Sequence, residues 1–292
     1  MRFSTEPKVH SLSTPGRALN WFGHRFLRSH VGQLLSIQLL ALRSLFYGKG
    51  NRKIDIQQII LHIYNIGIKS LPLVLAVGTI LGTVLIVNTA GLVPKVGLGN
   101  FFGNLMVIAI VRELGPILTG FLIAGRSGSS LTTRIASMRV NSEIDALETL
   151  GINPVRFLIM PALIGGITAM LIANCFFCLS AIGTGFLITK TATVLMDGIF
   201  KIPLEWSSYS LSILAALKPV DFIMGFVKPF IFASIIVTNA CYYGTRIKND
   251  QRAVPIATSR SVVSSFIFIV ATDLLLSFVY ILEYMSSVSS VI

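Results

Sequence analysis

Long stretches without a charged side chain constrain this sequence more than any other feature in it. Residues 70–94, a run of 25, carry no Asp, Glu, Lys or Arg, and neither do residues 157–189. Residues 98–125 are broken only by Arg112 and Glu113, residues 222–245 only by Lys228, and residues 261–282 only by Asp273. About 20 apolar residues wound as a helix cross roughly 30 Å of hydrocarbon. Lipid offers the backbone no water to bond, so each run closes its own hydrogen bonds as a helix. Of 292 residues only 12% are charged, against about 25% in ordinary soluble domains. The expected fold class is therefore an all-α integral membrane protein with about five transmembrane helices.

The segments between these runs set further expectations. Residues 17–46 place Leu19, Phe22, Phe26, Leu34, Leu35, Leu39, Leu42 and Phe46 on one stripe, with Arg17, Arg25, Arg28, Gln33 and Arg43 on much of the remainder. That is the pattern of a helix lying in a membrane interface. The chain divides on this reading into a cytosolic or interfacial amphipathic region, 1–65, and a transmembrane domain, 66–292. The first long uncharged run starts near residue 70, too late for the core of a cleavable signal. Gly91 and Pro94 are expected to end span one. Residues 157–189 exceed one bilayer crossing, so span three reads as tilted or broken, with Gly165-Gly166 and Gly183-x-Gly185 as candidate breaks. Residues 191–221 read as an extramembrane loop with a short interfacial piece.

The net charge of +12 admits a nucleic acid or an anionic membrane as partner. No nucleic-acid module is present, and ten of the 24 Lys and Arg lie within residues 1–69, before span one. The membrane surface is the expected partner, with no nucleic acid. Five spans put the termini on opposite sides. With the N-terminus in the cytosol, the inner segments hold 18 Lys and Arg and the outer loops hold Lys95, Lys190, Lys201 and Lys218. The positive-inside rule selects that orientation.

The inner loop after span two carries the densest information. Within it, residues 142–150 read as a short helix. Ser142 can cap it, and Glu143 and Asp145 sit where the helix dipole favours anions. Ile144, Leu147 and Leu150 form an apolar edge, Gly151 suits the C-terminal cap, and Pro154 forbids continuation. Such a helix either docks into a partner's groove or packs on its own chain.

Here the sequence resembles the MlaE/YrbE-type permeases of phospholipid-transporting ABC (MCE) systems. The matching residues are Val111-Arg112-Glu113-Leu114-Gly115-Pro116-Ile117-Leu118-Thr119, Ala124-Gly125-Arg126-x-Gly128-Ser129, Met138, and Ile144-Asp145-Ala146-Leu147-Glu148-x-Leu150-Gly151-Ile152-x-Pro154. Ile66-Gly67-x-x-Ser70-Leu71-Pro72 and Ala257-Thr258-x-x-Ser261-Val262-Val263 also fit. The resemblance implies a pair of permease copies, a cytosolic ABC ATPase, an MCE-domain lipid-binding protein and phospholipid held between the copies. It makes residues 142–150 a cytosolic coupling helix, with Arg126, Arg134, Arg139, Glu143, Asp145, Leu147 and Glu148 as the ATPase-coupling residues. It places the protein in a bacterial inner (cytoplasmic) membrane, with a plastid inner envelope as the alternative. The sequence departs from the family at Thr133-Arg134, usually Ala-Glu; at Pro161-Ala162, usually Pro-Arg; and at Ala253-Val254-Pro255, usually Gly-Val-Gly.

Four charges fall inside the uncharged runs: Arg112, Glu113, Lys228 and Asp273. Each costs about 2.5–3.5 kcal/mol at a bilayer centre. Adjacent helical residues do not face one another, so Arg112 and Glu113 need separate partners. The expected pairs are Glu113 with Lys228 and Arg112 with Asp273. The resemblance offers Lys228 with Asp273 as a competing pair, and a shifted span would leave Arg112 and Glu113 at an interface. No phosphate-binding loop of the form G-x-x-x-x-G-K-[ST] is present, so no catalytic residue, cofactor or metal is expected and energy comes from a partner. Cys175, Cys178 and Cys241 read as small packing residues, and His10, His24, His30 and His62 as solvated or interfacial. A secondary transporter would favour inverted repeats. A non-transporting scaffold would use the loop merely to recruit a partner.

Overall fold

The computed structural model describes residues 56–96, 102–152, 154–195, 206–247 and 250–289. The stripe at 17–46 lies outside the described residues. All described elements are helical: α1 (Ile56–Ile66), α2 (Leu71–Val96), α3 (Phe102–Met106), α4 (Gly115–Ile123), α5 (Ser129–Val140), α6 (Glu143–Thr149), α7 (Met160–Leu195), α8 (Trp206–Ala216), α9 (Pro219–Thr245) and α10 (Ala253–Ser289). Three wider π-wound segments, Val107–Leu114, Ala124–Gly128 and Val155–Ile159, join α3 to α4, α4 to α5, and the loop to α7. Five helical stretches are long and apolar enough to cross a membrane: Ile56–Thr89, Gly103–Val140, Phe157–Gly185, Pro219–Thr245 and Ala253–Leu282.

These bounds amend the sequence expectations in instructive ways. Span one begins at Ile56, because α1 passes into α2 through one tight turn, Ile68–Ser70, in which the Gly67 carbonyl accepts from Ser70 and Leu71. Gly91 and Pro94 lie within the last turns of α2 and do not end it. Span two does not stop at Gly125. The hydroxyls of Ser129, Thr132 and Thr133 donate to carbonyls four residues back, at 2.6, 2.8 and 3.0 Å. Polar residues that satisfy themselves along the helix axis need no loop, and the helical path runs on to Val140.

Span three is one uninterrupted helix of 36 residues, α7, about 54 Å long at 1.5 Å per residue. None of its glycines breaks it, and Gly165 and Gly166 are sites of close packing. A Cβ on Gly165 would lie 2.6 Å from His62 Cβ, and one on Gly166 would lie 2.8 Å from Val237 Cγ2. The same economy seats α2 on α7: a Cβ on Gly82 would lie 2.0 Å from the Ala181 carbonyl oxygen. Without a hydrophobic force between helices in lipid, small residues let backbones approach closely enough for dispersion to hold them. Phe177, Met170, Phe232 and Ile269 fill the interior with almost no exposure.

A hydroxyl and amide seam ties α5, α9 and α10 together. Thr132 donates to Ser261 at 3.0 Å, Ser265 donates to the Ser261 carbonyl, and Asn239 donates to Ser265 at 3.1 Å. Ser70 and Ser127 meet at 3.0 Å and fasten the start of α2 to span two.

Replacing Gly82 with Val is expected to destabilise the bundle by about 1–3 kcal/mol through overpacking against the Ala181 backbone. Gly183 has no atom within 4 Å of an added Cβ, so Gly183→Ala should stay within about 0.5 kcal/mol of the parent. Reversible unfolding in mixed micelles, followed by circular dichroism, measures both.

Candidate functional site

The charged residues converge between spans two, four and five. Val107–Leu114 is π-wound, with the Gly115 amide donating to the Ile110 carbonyl five residues back. A wider turn leaves carbonyls without an in-helix donor, and such turns concentrate at functional sites. The carbonyl of Arg112, whose usual helical donor four residues on is Pro116 with no N–H, accepts from Lys228 Nζ at 3.0 Å.

Arg112 and Glu113 turn to different partners, as neighbours on a helix must. Glu113 Oε2 lies 3.0 Å from Lys228 Nζ, the expected pair. Asp273 Oδ1 lies 2.8 Å from the same nitrogen, so the competing pair forms too. Lys228, 1% exposed, is shared by two carboxylates. Ser277 links the group, accepting from Lys228 at 3.0 Å and donating to Glu113 at 3.1 Å.

Arg112 corrects the other expectation. It does not meet Asp273 but pairs with Asp221, and its guanidinium carbon lies 4.2 Å from the centroid of the Tyr280 ring on span five. The reason is the start of α9. Lys218 has extended backbone, Pro219 is the first helical residue, and the Lys218 amide donates to Asp221 Oδ2 at 3.0 Å. Asp221 is thus an N-terminal capping residue inside span four, not part of a loop, and its other oxygen takes Arg112 Nε at 3.0 Å. Sequence reasoning missed it, although Pro at the first helical position with an acidic residue two later is a helix-start signal. Asn104, Arg112, Lys218, Asp221 and Tyr280 line a cavity of about 300 Å³ beside this pair.

At the other end of span two lies the short helix α6. Its Schellman ending is complete: the Gly151 amide donates to Glu148 and the Ile152 amide to Leu147, at 3.0 and 2.9 Å, with Gly151 at φ +73°. The start differs from expectation. Ser142 occupies the cap position in a left-handed conformation, φ +59°, and its side chain makes no capping bond. The side-chain amide of the preceding Asn141 donates to Glu143 Oε1 at 3.4 Å. The apolar edge is split. Ile144 is buried against its own chain, Leu147 is half-buried, and Leu150 is 74% exposed. Glu143, Asp145 and Glu148 are exposed, and Asp145 pairs with Arg139 of α5. Arg126 and Arg134 are exposed on span two, apart from this pair.

The class defined by this arrangement is a multi-pass helical membrane protein whose apolar spans are joined by buried ion pairs and whose second span ends in a short helix with an acidic face. Comparison with known proteins narrows it. Residues 59–279 match the family described as Permease MlaE. A probable ABC transporter permease protein of Rickettsia bellii is 30% identical over 88% of this chain and 95% of its own. One of Rickettsia prowazekii is 33% identical over 73% of this chain and 78% of its own. The intermembrane phospholipid transport system permease protein MlaE of Haemophilus influenzae is 27% identical over 73% of this chain and 78% of its own. This chain belongs to the MlaE permease family.

A double-mutant cycle separates the two assignments of Arg112. Arg112→Met with Asp221→Asn should show a coupling of about 1–3 kcal/mol in unfolding free energy, and Arg112→Met with Asp273→Asn a clearly smaller one. Equal couplings would place Arg112 between the two carboxylates.

Proposed function

We propose that this protein is the membrane-spanning subunit of an ABC transporter that moves phospholipid between membranes, energised by a separate ATPase. It works as two copies, with an MCE-domain protein receiving or delivering lipid. The observation that carries the reading is α6: a short helix, sharply closed at Gly151, that presents Glu143, Glu148 and Leu150 outward while Ile144 anchors it to its own chain. Such a helix at the end of a span is shaped to receive force from a docked partner, and no transport step here needs catalytic groups of its own. The name of the Haemophilus influenzae relative supplies the cargo, and the Rickettsia relatives supply the ABC class. The orientation follows the positive-inside count, with the N-terminus and α6 in the cytosol. The bacterial relatives favour a bacterial inner membrane, while a chloroplastic relative in Arabidopsis thaliana, 28% identical over 72% of this chain, keeps a plastid envelope as the alternative.

On α6 and the helix before it, Arg139, Asp145, Leu147 and the two glutamates form the coupling surface, with Arg126 and Arg134 further along span two. The departure at Thr133 has a local role: its hydroxyl meets that of Thr258 at 3.0 Å across α5 and α10.

The test is co-purification with an ABC ATPase and lipid-stimulated ATP hydrolysis in the reconstituted complex. Glu143→Lys with Glu148→Lys should lower that stimulation by roughly tenfold or more, equivalent to about 1.4 kcal/mol of lost coupling, while leaving the fold intact. A chain that purifies as a monomer and binds no ATPase would overturn the proposal.

A further inference from the structure

We propose that the Glu113–Lys228–Asp273 cluster is a binding site for one proton, carried on the Asp273 carboxyl. The inference rests on the geometry of the cluster and is independent of the transported cargo.

Charge inventory is the first argument. Three carboxylates, Glu113, Asp221 and Asp273, face two cations, Arg112 and Lys228. Arg112 and Asp221 neutralise each other. Lys228 is left to serve both Glu113 and Asp273, so one negative charge is in surplus. Lys228 and Asp273 are 1% and 4% exposed. An uncompensated buried carboxylate carries a desolvation cost of several kcal/mol, and a group so placed ordinarily takes up a proton.

Donor inventory is the second, and it says which carboxylate. An ammonium has three N–H donors and no more. Those of Lys228 reach the Arg112 carbonyl, Glu113 Oε2 and Ser277 Oγ, each at 3.0 Å. Ser277 then gives its own proton to Glu113. Glu113 is thus furnished with donors as an anion. Asp273 Oδ1 lies 2.8 Å from Nζ as an ion pair, but with the three donors placed elsewhere this oxygen accepts no hydrogen bond. A buried carboxylate with one oxygen left without a donor is the place where a proton removes the surplus charge.

The surroundings supply no other compensation among the described residues. From span two the cluster meets Arg112 and Glu113; α4 contributes no titratable side chain, only the buried Thr119 hydroxyl. From α9 come Lys228 and Asp221. From α10 itself come Ser277 and Tyr280, the latter over Arg112. Arg126 of the second π-wound segment is exposed and lies about 20 Å along span two from Glu113. The step is a simple exchange: water outside the bundle gives up a proton, the Asp273 carboxylate becomes a carboxylic acid, and the reverse returns it. Glu113, whose side chain is 32% exposed, is the least buried member of the cluster. Intramembrane carboxylates that bind and release protons serve as relays in pumps and transporters; here occupancy would set whether the joint between spans two, four and five is anionic or neutral.

Infrared difference spectroscopy of the full-length protein in lipid nanodiscs, titrated with pH, reads the carbonyl stretch of a protonated carboxyl directly. One such band is expected to appear as pH falls, with the amplitude of a single group, and to vanish in Asp273→Asn. Asp221→Asn should leave it in place. Lys228→Met should let the proton bind at least tenfold more tightly, moving the half-point up by one pH unit or more. Isotope labelling of aspartate carboxyls in the unmutated protein assigns the band even if a variant fails to fold. The proposal is overturned if no carboxyl titrates, if the band persists in Asp273→Asn or lacks the aspartate isotope shift, or if sodium or potassium at fixed pH removes it, which would mark a metal-cation site.

Discussion

An ammonium group buried among three helices dictates much of what this bundle can be. Lys228 could not sit in an apolar span unless acceptors and countercharge met it, and they come from distant parts of the chain: the Arg112 carbonyl and Glu113 from span two, Ser277 and the nearby Asp273 carboxylate from span five. Removing one charge from such a group costs about 3–5 kcal/mol, because the other is left buried and unpaired. The pairing therefore acts as a register constraint. Spans two, four and five have one relative height at which all these groups meet, and the Arg112–Asp221 pair fixes the same height a second time. Spans one and three need no such device. They are held to each other by glycines, with the polar side chains of α2 bonding back to their own helix, as Thr83 does to the Thr79 carbonyl at 2.8 Å.

Much of this was legible in the sequence. Uncharged runs have one fold available to them in lipid, so the number of spans and their order followed directly. The boundaries did not, because the signals used for them work in water. Arg126 and the polar run after it look like a loop and Pro94 looks like a breaker, yet a helix whose serines and threonines bond their own carbonyls passes straight through the first, and Pro94 falls in a last turn. Gly165 and Gly166 look like hinges, yet each marks a neighbour's close approach.

The charge cluster was legible in part, for a different reason. Lys228 and Asp273 each stand alone in an apolar run, and isolation is itself the signal. Asp221 stands one residue outside such a run, beside Lys218 and Pro219, where a charge is unremarkable in water. Only the start of α9 turns it inward. At α6, Gly151 and the acidic face were readable because a Schellman ending and a helix dipole are local physics. The left-handed Ser142 was not, because that conformation is imposed by the turn between α5 and α6 and no side-chain pattern announces it.

The π-wound segment in span two has a mechanical side. One residue's slip in a helix rotates everything beyond it by about 100°. Arg112 and Glu113 sit next to each other inside the widened stretch, and each is clamped to a different span. The widened turns cannot migrate along the helix like a wrinkle along a rug without breaking both clamps at once. Span two therefore behaves as a keyed shaft. Turning it about its own axis would have to carry spans four and five along, because both clamps lie on adjacent residues.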